Sequence, residues 1–148
     1  MNSRFIMLIE DNENDIKLTQ IALKRSNILN KLVVLRNGVE ALNYLFCRGE
    51  YSDIGINNLP SIILLDIKLP KVNGFEVLKN IRANQRTKLI PVIMLTSSNN
   101  KQDIISSYDL GCNSYIIKPI DFSKFSEIIK QLGLYWIFLN KEAPIILK

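Results

Sequence analysis

Short apolar runs recur along the chain, and each is followed by a segment in which apolar residues have helical spacing. The runs lack alternation of apolar and polar positions, which indicates strands covered on both faces, as in parallel sheets flanked by helices. We predict strands at residues 5–9, 32–35, 62–65, 91–95 and 114–117.

Helices are predicted at residues 15–25, 39–46, 75–83 and 101–110, and from residue 121 onward. Asn73-Gly74 predicts a turn before the third helix, Gly111 ends the fourth, and Asp121 is a favourable N-cap for the fifth. Residues 48–60 form the longest loop. Strand and helix therefore alternate five times, which predicts an α/β domain with a parallel sheet and helices on both faces.

Length and charge limit the classes of protein. The 148 residues, 47% hydrophobic, suffice for one domain. The net charge of +5 is spread out, and no aromatic residues alternate with the basic ones, so we expect no nucleic-acid partner. No apolar run has the length of a membrane span or signal peptide, which predicts a cytoplasmic protein without a membrane partner.

Histidine is absent from the sequence. A Ser-His-Asp or Cys-His mechanism, an HExxH zinc site and a role as a phosphohistidine donor are therefore excluded. Cys47 and Cys112 match no zinc or redox motif, and we expect two buried free thiols. Any chemistry must rest on carboxylates, lysines and hydroxyls.

Four of the predicted strands are followed directly by carboxylates, a hydroxyl or a lysine: Glu10 and Asp11, Asp66, Thr96, and Lys118. Open α/β sheets bind ligands at the carboxyl ends of their strands, so these residues are expected to share one edge. Three carboxylates there would repel one another, and a bound cation would relieve the repulsion. A hard oxygen site of this kind suits Mg²⁺.

This constellation resembles the receiver domain of two-component response regulators over about residues 4–132. The resemblance rests on Glu10-Asp11, LLDIKLP around Asp66, Asn73-Gly74, Thr96 after PVIML, and Lys118-Pro119 after YII. It implies a doubly wound, flavodoxin-like sheet of five parallel strands in the order 2-1-3-4-5. The loop at 48–60 and the extended C-terminus resemble stand-alone receivers that serve phytochrome-type histidine kinases.

The resemblance also implies a metal site. Glu10 and Asp11 would help to hold Mg²⁺, Asp66 would ligate it, and the backbone carbonyl of Lys68 would add another oxygen. The partner would be a sensor histidine kinase, and the output would pass to a downstream protein that the sequence does not identify.

Further roles follow from the same resemblance. Asp66 would take a phosphoryl group from the kinase's phosphohistidine, Lys118 would neutralise charge, and the Thr96 hydroxyl would bond a phosphoryl oxygen. Tyr115 would act with Thr96 as a conformational switch. The Lys118-Pro119 bond would be cis. Lys68 and Ser98 lie two residues after Asp66 and Thr96 and would tune the rate of dephosphorylation. The chain would catalyse its own phosphorylation and dephosphorylation, and it would serve mainly as a signalling switch.

Other readings remain open. Taken singly, Asp66, Glu10, Thr96 and Lys118 could be helix caps or surface charges, and Tyr115 could be simple strand packing. A haloacid-dehalogenase-like phosphatase would need a second acid at the position of Lys68. A dinucleotide binder would need a glycine-rich or hydroxyl-rich loop after the first strand, and a DNA-binding regulator would need an output domain. A degenerate receiver acting as an interaction module remains the main alternative.

The C-terminal region predicts an interface. We interpret residues 1–148 as a single receiver domain with an extended helix and tail at about 133–148. Apolar residues recur at helical spacing past Gly133, and residues 144–147 are apolar too. This surface would either mediate a homodimer or fold back on its own domain. The apolar residues of the stripe are Phe125, Ile128, Ile129, Leu132, Trp136 and Leu139.

Overall fold

The computed structural model describes residues 5–119 and 121–144, which contain one five-stranded parallel sheet. The strand order is β2-β1-β3-β4-β5, which confirms the predicted doubly wound topology. The strands are β1 (Phe5–Ile9), β2 (Lys31–Leu35), β3 (Ile62–Leu65), β4 (Val92–Thr96) and β5 (Ser114–Ile117).

Helices connect the strands and cover both faces of the sheet. They are α1 (Glu13–Arg25), α2 (Gly38–Leu45), α3 (Gly74–Ala83), α4 (Lys101–Asp109) and α5 (Phe122–Gly133). The long loop contains one 3₁₀ turn, Gly49–Tyr51, and a π-helical segment, Leu134–Leu139, extends α5. Among the described residues, no helix combines the length and apolar character needed to cross a bilayer.

The central strands are buried from end to end, as the unbroken apolar runs predicted. Alternate residues point to opposite faces: Met7 and Ile9 pack with α2 and α3, whereas Ile6 and Leu8 pack with α1 and α5. Each face therefore has its own hydrophobic core, and the sheet lies between them. Cys112 is buried in the first core as expected, but Cys47 is only half-buried, because it follows α2 in the long loop.

Polar caps begin all five α-helices and set their exact starts. Asn12, Asn37, Asn73, Asn100 and Asp121 each accept a hydrogen bond from a backbone N–H two or three residues later. The predicted Asn73-Gly74 turn is thus a helix start. The cap at Asn12 also explains why α1 begins two residues before the predicted position.

The C-terminal segment folds back on its own domain in part, and part of it stays exposed, while the homodimer remains a prediction. Ile137 is buried and Trp136 packs partly against the α1/α5 core, whereas Phe138 and Leu139 are exposed. Beyond the π-helical segment the chain returns to the start of β3, where the Ser61 hydroxyl donates to Glu142 Oε1 over 2.7 Å. The apolar residues 145–147 lie outside the described residues.

Candidate functional site at the carboxyl edge of the sheet

Backbone hydrogen bonds join the strand ends that the sequence predicted to meet. The Asp66 N–H donates to the Ile9 carbonyl over 3.1 Å, which holds the end of β3 beside the end of β1. The Lys118 N–H donates to the Thr96 carbonyl over 2.8 Å, which does the same for β5 and β4. The candidate functional side chains therefore start from fixed positions along one edge.

Lys118 occupies the centre of the site. Its ammonium group contacts the carboxylates of Glu10, Asp15 and Asp66, and the Nζ–Oδ2 distances to Asp15 and Asp66 are 2.8 and 3.3 Å. The Lys118 side chain is only 8% exposed, and Glu10 is 2% exposed. One cation thus links three carboxylates from the β1 end, α1 and the β3 end.

The charges in this cluster perturb one another. Burial and the neighbouring charge of Asp66 raise the pKa of Glu10 to about 7, although Lys118 acts in the opposite direction. Burial lowers the pKa of Lys118, but its hydrogen bonds with Asp15 and Glu10 and the charge of Asp66 outweigh burial and raise it above its ordinary value. Lys118 is therefore a permanent cation, and the site still has excess negative charge.

The acidic residues fit the oxygen-donor set of a hard divalent cation. Within the described residues, one carboxylate oxygen from each of Glu10, Asp11 and Asp66 lies within 4.8 Å of the other two. Glu10 and Asp66 are buried, while Asp11 is exposed, so the cluster opens to solvent on one side. Carboxylates in this arrangement suit Mg²⁺ or a similar ion.

Local structure holds Asp66 in place. Its Oδ1 accepts a hydrogen bond from the Ile67 N–H over 2.7 Å, while Oδ2 faces Lys118. The Gly74 N–H donates to the Ile67 carbonyl over 2.8 Å, so the start of α3 lies against this strand end. A Cβ atom at Gly74 would come within 2.2 Å of the Asp66 carbonyl oxygen, which explains why glycine is required there.

The predicted switch residues form a connected group beyond the site. Thr96 is buried at the end of β4, and its Oγ1 accepts a hydrogen bond from the Ser98 N–H over 3.4 Å. The Ser98 hydroxyl donates to Asp103 on α4 over 2.6 Å. The half-buried Tyr115 donates its hydroxyl to the Ser98 carbonyl over 2.9 Å. The loop after β4 is thus bonded to both α4 and β5.

Two expectations are corrected or extended. No described peptide bond is cis, so the expected cis Lys118-Pro119 bond is wrong for this structure. Asp15, which the sequence suggested only as an acid near a helix start, contacts Lys118 directly. The sequence did contain a sign of this contact: Asp15 lies five residues after Glu10, in the first turn of the helix that follows β1. Lys68 is exposed in the loop after β3, and ligation by its carbonyl stays a prediction.

Comparisons with known proteins agree with this geometry. Residues 6–130 match the family model of the response regulator receiver domain. Response regulator Rcp1 of Synechocystis sp. is 38% identical over 134 residues, covering 90% of this chain and 89% of that protein.

Solved structures extend the likeness to three dimensions. The phosphorylated cyanobacterial phytochrome response regulator RcpA has a TM-score of 0.88 at 40% identity, covering 95% of this chain and 99% of that one. The Mn²⁺-bound form of Rcp1 has a TM-score of 0.87 at 36% identity, with the same coverage. The chain belongs to the response regulator receiver domain family of two-component signalling.

Proposed function

We propose that this receiver accepts a phosphoryl group on Asp66 from a partner histidine kinase, with Mg²⁺ bound, and then signals through protein contacts. The observation that carries the proposal is the Lys118 ammonium group, 3.3 Å from Asp66 Oδ2 and beside Glu10. A cation is thereby held next to the carboxylate that would receive the anionic group. The similarity to phytochrome response regulators makes a phytochrome-type kinase the proposed donor.

The transfer itself requires positioning and charge neutralisation more than covalent catalysis. An Asp66 oxygen would form a bond to phosphorus as the phosphorus–nitrogen bond of the donor's phosphohistidine breaks. The departing imidazole keeps the electron pair and takes a proton from solvent. Lys118 would neutralise a phosphoryl oxygen, and the Thr96 hydroxyl would donate to another.

A metal ion held by Glu10, Asp11, Asp66 and the Lys68 carbonyl would supply further charge neutralisation at the phosphoryl group. The residues around it already limit movement, since Glu10 and Asp66 are buried and Asp66 is bonded to the Ile67 N–H. The excess negative charge explains why a second cation besides Lys118 would be needed before an anionic donor could approach.

The output would pass through the loop after β4. If the Thr96 hydroxyl turns toward a phosphoryl oxygen, it gives up its hydrogen bond with the Ser98 N–H. The Ser98 carbonyl in turn accepts from Tyr115, so the change reaches the β5 face. This chain of bonds supports Thr96 and Tyr115 as the switch pair.

The proposal is tested with acetyl phosphate as a small donor and intact mass as the readout. The wild type with Mg²⁺ should gain one phosphate, and Asp66→Asn or chelation of Mg²⁺ should abolish the gain. Asp53→Asn, which changes an exposed acid in the long loop, is the matched control and should behave as the wild type. A wild type that stays unmodified with Mg²⁺ bound would leave the degenerate receiver, a phosphorylation-independent interaction module, as the function.

A homodimer is the second part of the proposal, and the β5/α5 surface supports it. A shallow depression of about 510 Å³ lies between β5, α5 and the π-helical segment. Beside it, large apolar side chains are exposed that usually mark association. They are Ile117, Leu134, Tyr135, Phe138 and Leu139.

Sedimentation with and without acetyl phosphate tests the dimer. Removing the chain after residue 133 is a poor test, because it would also remove the buried Ile137. Phe138→Glu changes an exposed side chain and should reduce association, whereas Ile56→Glu on the long loop should not. A wild type that is monomeric in both conditions would rule out self-association.

A further inference from the structure

Asp15 differs from the other carboxylates that contact Lys118. Glu10 and Asp66 stand at strand ends, whereas Asp15 is in the first turn of α1. Within the described part of the chain, the carboxylates close enough to hold one metal ion together are Glu10, Asp11 and Asp66, and Asp15 is not among them. Its Oδ2 is nevertheless 2.8 Å from Lys118 Nζ, closer than Asp66 Oδ2.

The backbone of Asp15 is held from both sides. The Asp15 N–H donates to Asn12 Oδ1 over 3.0 Å, and the Thr19 hydroxyl donates to the Asp15 carbonyl over 2.8 Å. The Asp15 side chain is 28% exposed, and its carboxylate oxygen points to the ammonium group from α1. Asp15 is therefore a fixed point from which Lys118 can be held.

The three carboxylates are not equally available to Lys118 when a divalent cation is bound. Oxygens of Glu10 and Asp66 that ligate a cation have less negative charge to offer an ammonium group, and the cation repels Lys118 directly. Asp15 keeps its full attraction, because it lies outside the cluster. Without it, nothing comparable among the observed contacts would hold Lys118 at the edge once the cation is bound.

We propose that Asp15 is a positioning residue, which keeps the Lys118 ammonium group beside the phosphoacceptor while Glu10 and Asp66 hold the metal. The inference rests on the proposed function and adds a residue to it. Asp15 also supplies part of the negative charge that Lys118 needs, so that the lysine competes less with the metal for the oxygens of Glu10 and Asp66.

The first test compares rates of phosphorylation by acetyl phosphate at saturating Mg²⁺. Asp15→Ala should slow the reaction by about tenfold, and Asp15→Asn, which retains an acceptor without the charge, by about threefold. Glu13→Ala is the matched control: it removes an exposed acid from the same turn, which pairs with Arg36 over 3.2 Å, and should change the rate by less than about twofold.

The sign of the effect makes this test decisive. Removing a negative charge near the acceptor should by itself speed the approach of an anionic donor. A slower reaction therefore reports loss of lysine positioning and supports the proposal. A rate for Asp15→Ala that equals or exceeds the wild-type rate would overturn it.

The second test measures Mg²⁺ affinity by calorimetry and requires no phosphorylation. Asp15→Ala should raise the Mg²⁺ dissociation constant by about fivefold when Lys118 is present, and by less than about twofold in a Lys118→Met background. The coupling would show that Asp15 acts through the lysine. An equal rise in both backgrounds would show direct action on the metal and overturn the proposal.

The two tests also separate this inference from the proposed function. If the wild type accepts no phosphate while the coupling in Mg²⁺ affinity is present, the proposed function fails and the role of Asp15 in holding Lys118 stands. If the wild type is phosphorylated and Asp15→Ala is not slower, the proposed function stands and the positioning role fails.

Discussion

Two partly buried cationic side chains, Lys118 and Arg82, lie at opposite ends of the sheet. Lys118, at the carboxyl edge, is surrounded by carboxylates. Arg82, on α3, lies near the amino ends of β4 and β5, and its guanidinium group donates to neutral oxygens over 2.8–2.9 Å. The acceptors are the carbonyls of Lys88, Ile90 and Gly111 and the side-chain oxygen of Asn113.

The difference distinguishes a structural cation, Arg82, from Lys118, the cation that we propose to take part in phosphorylation. The guanidinium donors of Arg82 are matched by fixed dipoles that join α3 to two loops, and burial lowers the pKa of Arg82 from its ordinary value. The Lys118 ammonium group instead faces more negative charge than it can balance. Burial lowers its pKa, but the hydrogen bonds that it donates to Asp15 and Glu10 outweigh burial and hold the pKa above the ordinary value. Matched donors stabilise a fold, whereas excess negative charge attracts a further cation, which is needed before an anionic substrate can approach.

Replacing Lys118 tests this comparison most strongly. Lys118→Met should slow phosphorylation by acetyl phosphate by about a hundredfold or more, because a positioned cation at the developing charge is lost. Intact mass against time gives the rate. A folded Lys118→Met variant that reacts within a few-fold of the wild type would show that the ammonium group is not part of the reaction.

Arg82 should give the converse result. Arg82→Met removes the guanidinium donor from three backbone carbonyls and should lower the free energy of unfolding by about 2–3 kcal/mol, measured by urea titration. Phosphorylation of the folded protein should stay close to the wild-type rate. Lys79→Met, an exposed change on the same helix, is the control and should alter stability little. Loss of phosphorylation without loss of stability would break the distinction.

The tail contact at the amino edge should contribute less. Ser61→Ala removes the hydroxyl that donates to Glu142 and should cost about 1 kcal/mol of unfolding free energy. Limited proteolysis should then cut the tail sooner than in the wild type. Ser52→Ala in the exposed long loop serves as the control. Unchanged stability and proteolysis would show that the tail is held by other contacts.

The smallest effect is expected next to the site. Lys68 and Ser98 follow Asp66 and Thr96 by two residues, and replacing both by alanine should change the decay rate of the acyl phosphate by about threefold or more. The Ser98 hydroxyl donates to Asp103, so the decay rate of Asp103→Asn shows whether this hydrogen bond affects the contribution of Ser98. Decay at the wild-type rate in the double variant would exclude both residues from this control.

The comparison also shows which features can be predicted from sequence. Strand-end residues such as Asp66 and Lys118 were predictable, because a parallel sheet brings the carboxyl ends of its strands to one edge. Asp15 was missed since its role depends on the direction of a side chain from α1. The four-acceptor arrangement around Arg82 was also missed, because backbone carbonyls carry no signal in the sequence.

The long-range contacts of the C-terminal segment could not be predicted from the sequence either. Glu142 reaches Ser61 across 81 positions of sequence, and no local pattern predicts such a pair. The apolar stripe past Gly133 indicates helical spacing, but it predicts neither the π-helical form of Leu134–Leu139 nor the burial of Ile137. The spacing of apolar residues predicts that one side of a helix is apolar. Which of those residues are buried depends on tertiary packing, which the spacing does not reveal.

The most direct test of the account is to locate the phosphoryl group. The wild type is treated with acetyl phosphate and Mg²⁺, then reduced with borohydride, which converts an aspartyl phosphate to homoserine, and the peptides are sequenced by mass spectrometry. The account predicts homoserine at position 66 in the wild type. Homoserine at another acidic residue, with Asp66 unchanged, would contradict the assignment of Asp66 as the phosphoacceptor.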